Sequence, residues 1–484
     1  MAIDIGSSSV RAELFDERGR PRRGTFAQVA YRPTVDVRGG VAVEFPRLLE
    51  VLSQTLDLFV ARAGKDLDRA AGVGISCFLH SLAGVGKDGR PVTPLLTWAD
   101  TTSAGDAARL RERLDETALW QKTGCPIHAS YWPAKILHLR SGAGAAAASW
   151  AGAPELLFAE LTGERLMDVS QASGTGLLDR RTGTWLPDVT RAVDVDARSL
   201  PAIAPPGASG HLVGASARRW PALAGIPWFV PWSDAVCGNV GLGAVPGGPV
   251  ALQLGTSGAV RAIVADPVPT LPPGLFAHRL PEGAGLVGGQ LSEGGGVAAA
   301  VGRLLGRSMR SLEADAALLE PDSHGLTVLP YLAGERGPGY HETARGTVTG
   351  VTLATPAAGV FLAVLESIAF RFAALDRALA GVVGDGATIV ACGGALSRSP
   401  LWMAIMAAAI GRPIGLSSEA EASTRGAAIR ALVAAGIVDS AGAIPPPPST
   451  PVVPDRKRVD RYAAARARQD ELYERLLGPS GAPR

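Results

Sequence analysis

The chain carries one short pattern twice, and this repeat restricts the folds that are open to it. Residues 4–16 read as a strand, a Gly-Ser-Ser turn and a second strand, with Gly6 at the turn because glycine tolerates the backbone angles that a tight turn needs. Residues 251–260 repeat the order: an apolar strand, a glycine followed by Thr256 and Ser257, and further apolar residues. A hairpin that recurs at this distance predicts two related domains.

Each of these turns is suited to an anion, because backbone N–H groups and small hydroxyls lie close together in it. Two such turns predict that a polyphosphate is held between two domains. Asp4 lies just before the first turn, where a carboxylate can hold a magnesium ion beside the phosphates. A single hairpin of this kind is also typical of an ordinary β-hairpin, so the prediction depends on the second copy.

The length and charge of the chain limit the classes of protein that it can belong to. A chain of 484 residues exceeds one hydrophobic core and predicts at least two domains. The 47 basic and 45 acidic residues nearly balance, which argues against a general attraction to nucleic acid or to a membrane surface. The four cysteines lie far apart in the sequence, so neither a metal knuckle nor a redox pair is expected, and a reduced, cytoplasmic setting is favoured.

Neither the start of the chain nor its most apolar segment has the pattern of a targeting or membrane segment. No basic region followed by an apolar stretch opens the chain, so no signal peptide is expected; the first strand begins at Met1 itself, which suggests a natural start slightly upstream. Residues 359–383 are strongly apolar but contain Glu366, Arg371 and Asp376. They predict a buried helix of a soluble protein rather than a membrane span.

Apolar spacing and turn residues predict alternating helices and strands, which is typical of an α/β fold. Helices are predicted over residues 45–63, 103–119, 154–161, 356–380, 424–435 and 458–477, and buried strands over residues 72–76 and 388–392. Residues 168–177 read as a polar turn region. The domain boundary is predicted near residue 245, after a segment rich in small residues that can form a closely packed helix.

Asp234 is the strongest candidate for a general base. It precedes the small-residue helix near the predicted domain junction, where a carboxylate can accept the proton of a hydroxyl that attacks a phosphorus atom. A plain helix N-cap is the competing interpretation. Gly393 and Gly394 follow a buried strand and precede a helix, a position at which α/β folds bind nucleotides, although tight packing explains the glycines equally well.

Three further residues suit a sugar. His80 follows a short strand, and Trp98 with Asp100 forms an aromatic–carboxylate pair that fits a sugar face and its hydroxyls. A structural histidine and simple loop packing are the competing interpretations. His128, Tyr131 and Trp132 carry the same ambiguity, with core packing favoured. The chain contains neither a Walker-type phosphate loop nor a Rossmann fingerprint after the first strand.

Four segments in the same order resemble the motifs of FGGY-family carbohydrate kinases. Residues 4–11 resemble the first phosphate motif, residues 253–258 the second, residues 393–402 the adenosine motif and residues 421–428 the helix that follows it. Asp234 falls where the family keeps its catalytic base. The resemblance extends over nearly the whole chain.

The resemblance implies an α/β fold of the two-domain actin-like ATPase (ribonuclease H-like) type with a central cleft. Residues 1–245 would form the N-terminal sugar-binding domain and residues 246–484 the C-terminal ATP-binding domain, with ATP and Mg²⁺ as cofactors. Asp234 would be catalytic, and Asp4 and Asp234 would lie at the metal. The sugar would be bound by His80, Trp98, Asp100 and Asp234, and ATP by Gly6, Ser7, Ser8, Arg11, Gly255, Thr256, Ser257, Gly393, Gly394 and Ser397.

Residues 78–84, 97–101 and 123–135 look most like the gluconate-kinase group of the family, so ATP-dependent phosphorylation of a small sugar or sugar acid is expected, gluconate first. Thr102 stands where the pattern usually has an arginine; if that arginine reads an acidic or polar sugar terminus, its loss weakens the gluconate assignment. A xylulose-type pentulose kinase is the alternative. A non-catalytic regulator of the same fold is disfavoured, because Asp4 and Asp234 are retained. Neither nucleic acid nor membrane is expected as a partner, and a homodimer stays open.

Overall fold

The computed structural model of the protein describes residues 1–265, 268 and 270–478. The first half is built from short strands and helices around one larger sheet. Its strands are β1 (Ala2–Ile5), β2 (Ser9–Glu13), β3 (Ala27–Ala30), β4 (Thr34–Val35), β5 (Val41–Val43), β6 (Gly74–Cys77), β7 (Ala83–Val85), β8 (Leu95–Leu96), β9 (Ser149–Ala151), β10 (Leu166–Met167), β11 (Leu178–Asp179), β12 (Thr184–Trp185), β13 (Ala202–Ile203), β14 (Ser209–Gly210), β15 (Trp228–Phe229) and β16 (Trp232–Ser233). Its helices are α1 (Phe45–Ala63), α2 (Ala104–Arg113), α3 (Glu116–Thr123), α4 (Trp132–Arg140), α5 (Ala153–Thr162), α6 (Val169–Ser173), α7 (Pro187–Ala192), α8 (Gly214–Arg219), α9 (Pro221–Ala224) and α10 (Asp234–Gly241).

The second half has longer strands and the longest helix of the described chain. Its strands are β17 (Val250–Leu254), β18 (Gly258–Ala265), β19 (Phe276–Arg279), β20 (Ala284–Leu291), β21 (Thr327–Leu329), β22 (Thr347–Thr349), β23 (Ile389–Cys392), β24 (Ile414–Ser417) and β25 (Ser449–Val452). Its helices are α11 (Gly295–Leu304), α12 (Met309–Ala316), α13 (Ala357–Val383), α14 (Gly394–Ser397), α15 (Pro400–Ile410), α16 (Ala422–Ala434) and α17 (Arg456–Leu477).

The two large sheets share one topology around the repeated hairpins. The first has the order β16-β6-β1-β2-β3 and the second the order β19-β20-β18-β17-β23-β24-β25. In each, the first hairpin strand pairs antiparallel with the second and parallel with a later strand: β1 with β2 and β6, β17 with β18 and β23. The repeat predicted from the sequence is therefore a repeat of structure, and the α/β class is confirmed.

Two predictions of local structure were wrong. Residues 103–119 form two helices, α2 and α3, because Leu114 is extended and the Asp115 side chain accepts a hydrogen bond from the Ala118 N–H as a new N-cap. Within the predicted turn region 168–177 lies the short helix α6, whose N-cap is Asp168. Helix α1 has the predicted bounds, and α13 and α17 lie within a few residues of theirs.

The helix α13 is the centre of the second core. It is long and apolar enough to cross a membrane, but 89% of its most apolar window is buried inside the protein. Its charged residues are paired there: Glu366 accepts a hydrogen bond from the Tyr462 hydroxyl at 2.8 Å, and Arg371 lies 3.2 Å from Glu335. The prediction of a buried helix for residues 359–383 is confirmed.

Helix α10 packs on α16 with almost no space between the two backbones. A Cβ atom on Gly426 would overlap the carbonyl oxygen of Cys237, and one on Gly241 would overlap that of Ala422. This close packing fixes the start of α10, and hence Asp234, against the second half of the chain. Residues 242–249 join α10 to β17, and the predicted domain boundary near residue 245 falls in this segment.

Candidate active site

The second hairpin turn borders a cavity of about 600 Å³ between the two halves. The ends of β17 and β23 and the starts of α10 and α16 surround it. Among its lining residues are many of those singled out in the sequence: Asp4, Arg11, Asp234, Gly255, Thr256, Ser257, Gly393, Gly394 and Ser397. Gly6, Ser7 and Ser8 form the first turn next to Asp4 but do not line this cavity. The structure therefore brings most of the predicted ATP and metal residues together.

In each turn the glycine N–H donates a hydrogen bond forward across the turn, over three residues in the first and over two in the second. The Gly6 N–H donates to the Ser9 carbonyl at 2.9 Å, and the Gly255 N–H donates to the Ser257 carbonyl at 3.0 Å. Thr256 is exposed at the second turn. At the end of β23, Gly393 has a φ of 109°, and a Cβ there would overlap the backbone of Leu254. Packing thus requires glycine at Gly393, which also borders the cavity.

Asp234 is the first residue of α10 and is not its N-cap. Ser233 takes that place, since its hydroxyl accepts a hydrogen bond from the Val236 N–H. The Asp234 Oδ1 accepts from the Ala235 N–H at 2.8 Å, and the carboxylate stands at the cavity wall. Burial raises the pKa of Asp234 to about 6, and repulsion from Asp4 adds to the rise while Arg261 opposes it. The competing N-cap interpretation is therefore wrong.

Asp4 is buried and held from two sides. Its Oδ1 accepts a hydrogen bond from the Ser76 hydroxyl at 2.7 Å, and its Oδ2 accepts one from Arg11 Nη1 at 2.9 Å. The Nε of Arg11 also lies 3.1 Å from a carboxylate oxygen of Glu421, which belongs to the second half. Burial raises the pKa of Asp4, and the charge of Arg11 opposes this rise. Arg11 therefore links the first strand to α16.

The donor set at this cavity fits a magnesium ion. Asp4 and Asp234 both line it, and each carboxylate is close enough to repel the other. Carboxylate oxygens are the hard ligands that Mg²⁺ prefers, and a divalent cation between them would remove their repulsion. The chemistry of the two side chains thus suits the predicted metal.

Arg261 was missed in the sequence. It lies on β18, its Nη1 donates to the Gln253 Oε1 at 2.8 Å, and its Nε has no hydrogen-bond partner among the described residues. Burial lowers the pKa of Arg261 to about 10, while the charge of Asp234 raises it. Arg261 follows the second turn much as Arg11 follows the first. A comparison of the two hairpins in the sequence could therefore have predicted it.

One ring nitrogen of His80 is hydrogen-bonded to the protein backbone, and the other can accept a hydrogen bond. Its Nδ1–H donates to the Gly174 carbonyl at 2.8 Å, which assigns the tautomer and leaves Nε2 as an acceptor. Burial holds the pKa of His80 well below its ordinary value, so the ring is neutral. The residue has a φ of 67°, an unusual conformation that is typical of functional sites. The backbone of its neighbour Leu79 also faces the Asp234 carboxylate.

Asp100 and Trp98 lie on one turn but differ in what they offer. The Oδ2 of Asp100 accepts a hydrogen bond from the Val41 N–H at 2.9 Å, and its Oδ1 accepts one from the Thr102 hydroxyl at 2.6 Å. Both oxygens therefore hold the turn, and the predicted contact of Asp100 with a sugar stays a prediction. Trp98 is partly exposed, and the guanidinium of Arg336 lies 5.0 Å from the centre of its ring.

Buried polar side chains without partners surround His80. The rings of His80 and Tyr131 are 4.9 Å apart between centroids, and those of His80 and His278 are 6.3 Å apart. Among the described residues, neither nitrogen of His278 has a hydrogen-bond partner, and the Nε2 of His128 has none. We call the group made of His80, His128, Tyr131, His278, Trp98 and Arg336 the sugar-side cluster, after the predicted role of His80 and Trp98. Buried polar groups are normally hydrogen-bonded, so this group of exceptions indicates a ligand.

Lys135 positions two segments of the sugar-side cluster. Its Nζ donates to the His80 carbonyl at 2.6 Å and to the Thr97 carbonyl at 2.7 Å. Burial lowers the pKa of Lys135 to about 7, and the charge of Asp100 opposes this change. Sequence patterns did not single out Lys135, His278 or Arg336 for a role, because their meaning depends on contacts between distant parts of the chain.

Comparison with known proteins gives a consistent result over the whole chain. Residues 1–241 match the model described as the FGGY family of carbohydrate kinases, N-terminal domain, and residues 250–435 match that of the C-terminal domain. Gluconokinase of Bacillus subtilis is 27% identical over 467 residues, covering 92% of this chain and 89% of that protein. The crystal structure of gluconate kinase from Lactobacillus acidophilus has a TM-score of 0.89 at 25% identity, covering 99% of this chain and 98% of that one. A ligand-bound xylulose kinase structure from the same organism has a TM-score of 0.88 at 24% identity, covering 99% of each chain.

Proposed function

The chain belongs to the FGGY family of carbohydrate kinases, and on this premise we propose that it transfers the terminal phosphoryl group of ATP to a hydroxyl of a sugar acid, with gluconate as the first substrate. One observation carries the proposal. Asp234 stands at the wall of the cavity beside the second hairpin, while the backbone of Leu79 connects it to the His80 side. A carboxylate between a phosphate-binding turn and a cluster of unpaired polar groups suits the transfer of a proton from an attacking hydroxyl.

Asp234 has the properties of the proton acceptor in this scheme. With a pKa of about 6 it is ionised at neutral pH, and it is more basic than an exposed aspartate. The proton of the accepting hydroxyl would pass to its carboxylate as the oxygen attacks the phosphorus. The N–H of Ala235 holds this carboxylate in place.

Charge on the transferring group would be stabilised by groups that are already in position. The guanidinium of Arg261 is oriented by Gln253, and Thr256 and Ser257 of the second turn line the same cavity. Fixed donors of this kind lower the barrier of phosphoryl transfer because they do not need to reorganise. Asp4 and Asp234 would hold Mg²⁺, which supplies neutralisation of the negative charge of the nucleotide.

Gluconate is preferred over a pentulose for two reasons. Residues 78–84 and 123–135 resemble the gluconate-kinase group, and gluconokinases of Bacillus subtilis and Bacillus licheniformis are each 27% identical to this chain. The xylulose alternative rests on the xylulose kinase of Lactococcus lactis, 26% identical over 388 residues, and on Thr102 in place of arginine. We also propose that residues 1–245 bind the sugar and residues 246–484 the nucleotide. The cytoplasmic location and a homodimer stay predictions.

A substrate panel tests the proposal. Release of ADP from ATP and Mg²⁺ is measured with gluconate, xylulose, ribulose and glycerol as acceptors. Gluconate is expected to give the highest kcat/KM. Preference for xylulose would favour the pentulose alternative, and no ADP release above background with any acceptor would contradict a kinase of these polyols.

Substitution of the proposed base provides a second test. Asp234→Asn keeps the shape of the side chain but removes the proton acceptor, so kcat should fall by roughly two to four orders of magnitude. Sugar binding, measured by calorimetry, should persist. Asp439→Asn is the matched control, because Asp439 is exposed and outside the cavity. Full activity of Asp234→Asn would exclude it as the base.

A further inference from the structure

Arg336 is a buried cation in the sugar-side cluster. Its exposed fraction is 8%, and its guanidinium stacks over the ring of Trp98 at 5.0 Å from the centroid. Trp98 comes from the first half of the chain and Arg336 from the second, so this contact joins the two halves. Stacking on an aromatic face fixes the plane of a guanidinium and therefore the direction of its N–H groups.

Among the residues that the structure describes, none makes a hydrogen bond or an ion pair with this guanidinium. Its Nε has no hydrogen-bond partner, and no carboxylate of a described residue lies within 4.0 Å of its nitrogen atoms. The neighbouring Glu335 is occupied elsewhere, with Arg371 at 3.2 Å and the Tyr473 hydroxyl at 2.7 Å. Burying a charge without a partner is unfavourable for folding, which makes an unpaired buried arginine typical of a binding site.

Charged groups around Arg336 act on it only from a distance. Burial, the largest effect, lowers the pKa of Arg336, and Tyr131, Tyr340, Asp234 and Glu293 oppose this change electrostatically. Burial raises the pKa of Glu293 to about 8, so this carboxyl is mostly neutral at pH 7 and does not cancel the cation. His80 and His128 are neutral because burial lowers the pKa of each. The sugar-side cluster thus holds a net positive charge at Arg336.

We propose that Arg336 binds the carboxylate of an open-chain sugar acid and is the residue that makes the site prefer acidic over neutral polyols. The planar fork of a guanidinium can donate two parallel hydrogen bonds to a carboxylate, which a neutral hydroxymethyl group cannot accept in the same way. The neighbouring unpaired nitrogens of His278 and the Nε2 of His128 suit hydroxyl groups. Arg336 supplies a cation on this side of the cleft although position 102 is threonine. This inference rests on the proposed function, because it concerns the sugar site of the same reaction.

The distinguishing experiment measures binding without nucleotide. Calorimetry compares gluconate with glucitol, which has the same six-carbon chain but a hydroxymethyl group in place of the carboxylate. The wild type should bind gluconate roughly 10- to 100-fold more tightly, the range expected for hydrogen bonds to a charged group. Arg336→Gln should remove this difference while the affinity for glucitol changes by less than about threefold, and Arg336→Lys should restore part of it.

Two controls separate a binding role from a structural one. Arg345→Gln removes an exposed arginine of the same segment, which donates only to the carbonyls of Thr343 and Ala344, and should bind both ligands like the wild type. Thermal unfolding of Arg336→Gln should occur at or above the wild-type temperature, because the variant loses a buried unpaired charge. Lower affinity for both ligands together with a lower unfolding temperature would overturn the proposal.

The outcomes for Arg336 and for the kinase reaction can be told apart. Gluconate binding that is unchanged in Arg336→Gln, or a wild type that binds glucitol as tightly as gluconate, overturns the role of Arg336 even where ADP release shows kinase activity. Binding that depends on the carboxylate and on Arg336, without any ADP release, supports the role of Arg336 and contradicts the proposed function. Equal loss of ADP release with gluconate and with a neutral acceptor, at unchanged binding, would place Arg336 at the phosphoryl group and overturn the proposal.

Discussion

Asp234 lies in surroundings that are unfavourable for its charged form. Its carboxylate stands between the repelling charge of Asp4 and the guanidinium of Arg261, partly enclosed at the cavity wall. Because Ser233 already caps helix α10, the helix does not need this carboxylate for its start. The charged form of Asp234 is thus unfavourable for stability and is not needed for the start of the helix. This combination supports its proposed role as the base.

The stability of the Asp234→Asn variant should therefore depend on pH relative to the wild type. The pKa of Asp234 is about 6 in the folded protein and near 4 in the unfolded chain. Between these two pH values the carboxyl is therefore mostly protonated in the folded protein and mostly ionised in the unfolded chain. The free energy of unfolding of the wild type should therefore fall as the pH rises from about 4 to about 6. In EDTA, Asp234→Asn should match the wild type near pH 4 and exceed it by about 1–2 kcal/mol at pH 8, allowing for the open side of the site.

Urea unfolding at pH 4 and pH 8 provides the measurement. Asp439→Asn should show no such change with pH, because this aspartate lies at the surface. An Asp234→Asn protein that is less stable than the wild type at pH 8 would mean that the carboxylate stabilises the fold, contrary to the argument above.

The sequence predicted those candidate site residues that lie within or beside a recognisable local motif. Asp4, Thr256 and Gly393 each sit beside a turn whose composition is visible locally, and the structure gathers them at one cavity. Arg336 and His278 gave no local signal, because an arginine or histidine acquires a role only through groups that fold beside it. Their contacts with Trp98 and His80 join parts of the chain that are far apart in sequence.

At the scale of elements, the contact between helices α10 and α16 fixes the position of the end of α10 at which Asp234 lies. The sequence indicated that small residues let α10 pack closely, but it did not identify the partner. The structure supplies α16, whose Gly426 meets the backbone of Cys237 without space for a side chain. Two helices in backbone contact cannot shift relative to each other without losing this packing.

Gly426→Ala should therefore destabilise the protein by about 2–4 kcal/mol, because the added methyl group must push the two backbones apart. Activity should fall as well, since the start of α10 carries Asp234. Gly381→Ala is the matched control in the exposed part of helix α13, where a Cβ meets no atom within 4 Å. It should stabilise by about 0.5–1 kcal/mol, the helix propensity difference. Urea unfolding of both variants gives the comparison, and equal stability of the two would contradict the packing argument.

Periodicity predicted best those elements that are bounded by clear turn residues. Helix α1 and the buried strand β23 stand between clear turn residues, and their positions followed from spacing alone. The break between α2 and α3 was missed, because Asp115 reads as one more polar residue on a helix until its side chain is seen to accept from Ala118. The short helix α6 was missed for a similar reason, since its few residues span hardly more than one turn.

At the scale of the whole molecule, the two halves are joined by apolar packing and by hydrogen bonds. Helix α16 of the second half packs on β1 and β6 of the first sheet, and a mixed apolar cluster joins Ala2, Phe229 and Trp232 to Ala427 and Ala431. On another side, the indole N–H of Trp120 donates to the Leu275 carbonyl at 2.8 Å, and Gln121 exchanges two hydrogen bonds with Leu271. The predicted boundary near residue 245 therefore divides the sequence, but many packing contacts cross it.

This sharing predicts how a divided chain would behave. Residues 1–245 expressed alone lack α16, so the apolar surface of β1, β6 and α10 would face water, and the fragment should bind a hydrophobic dye and unfold without a cooperative transition. Refolding together with residues 246–484 should restore a sharp transition and low dye binding, because α16 is then supplied. Near-ultraviolet circular dichroism during thermal unfolding distinguishes the two states. A fragment of residues 1–245 that unfolds as cooperatively as the full chain would show that the first half is an independent domain and that α16 only rests on it.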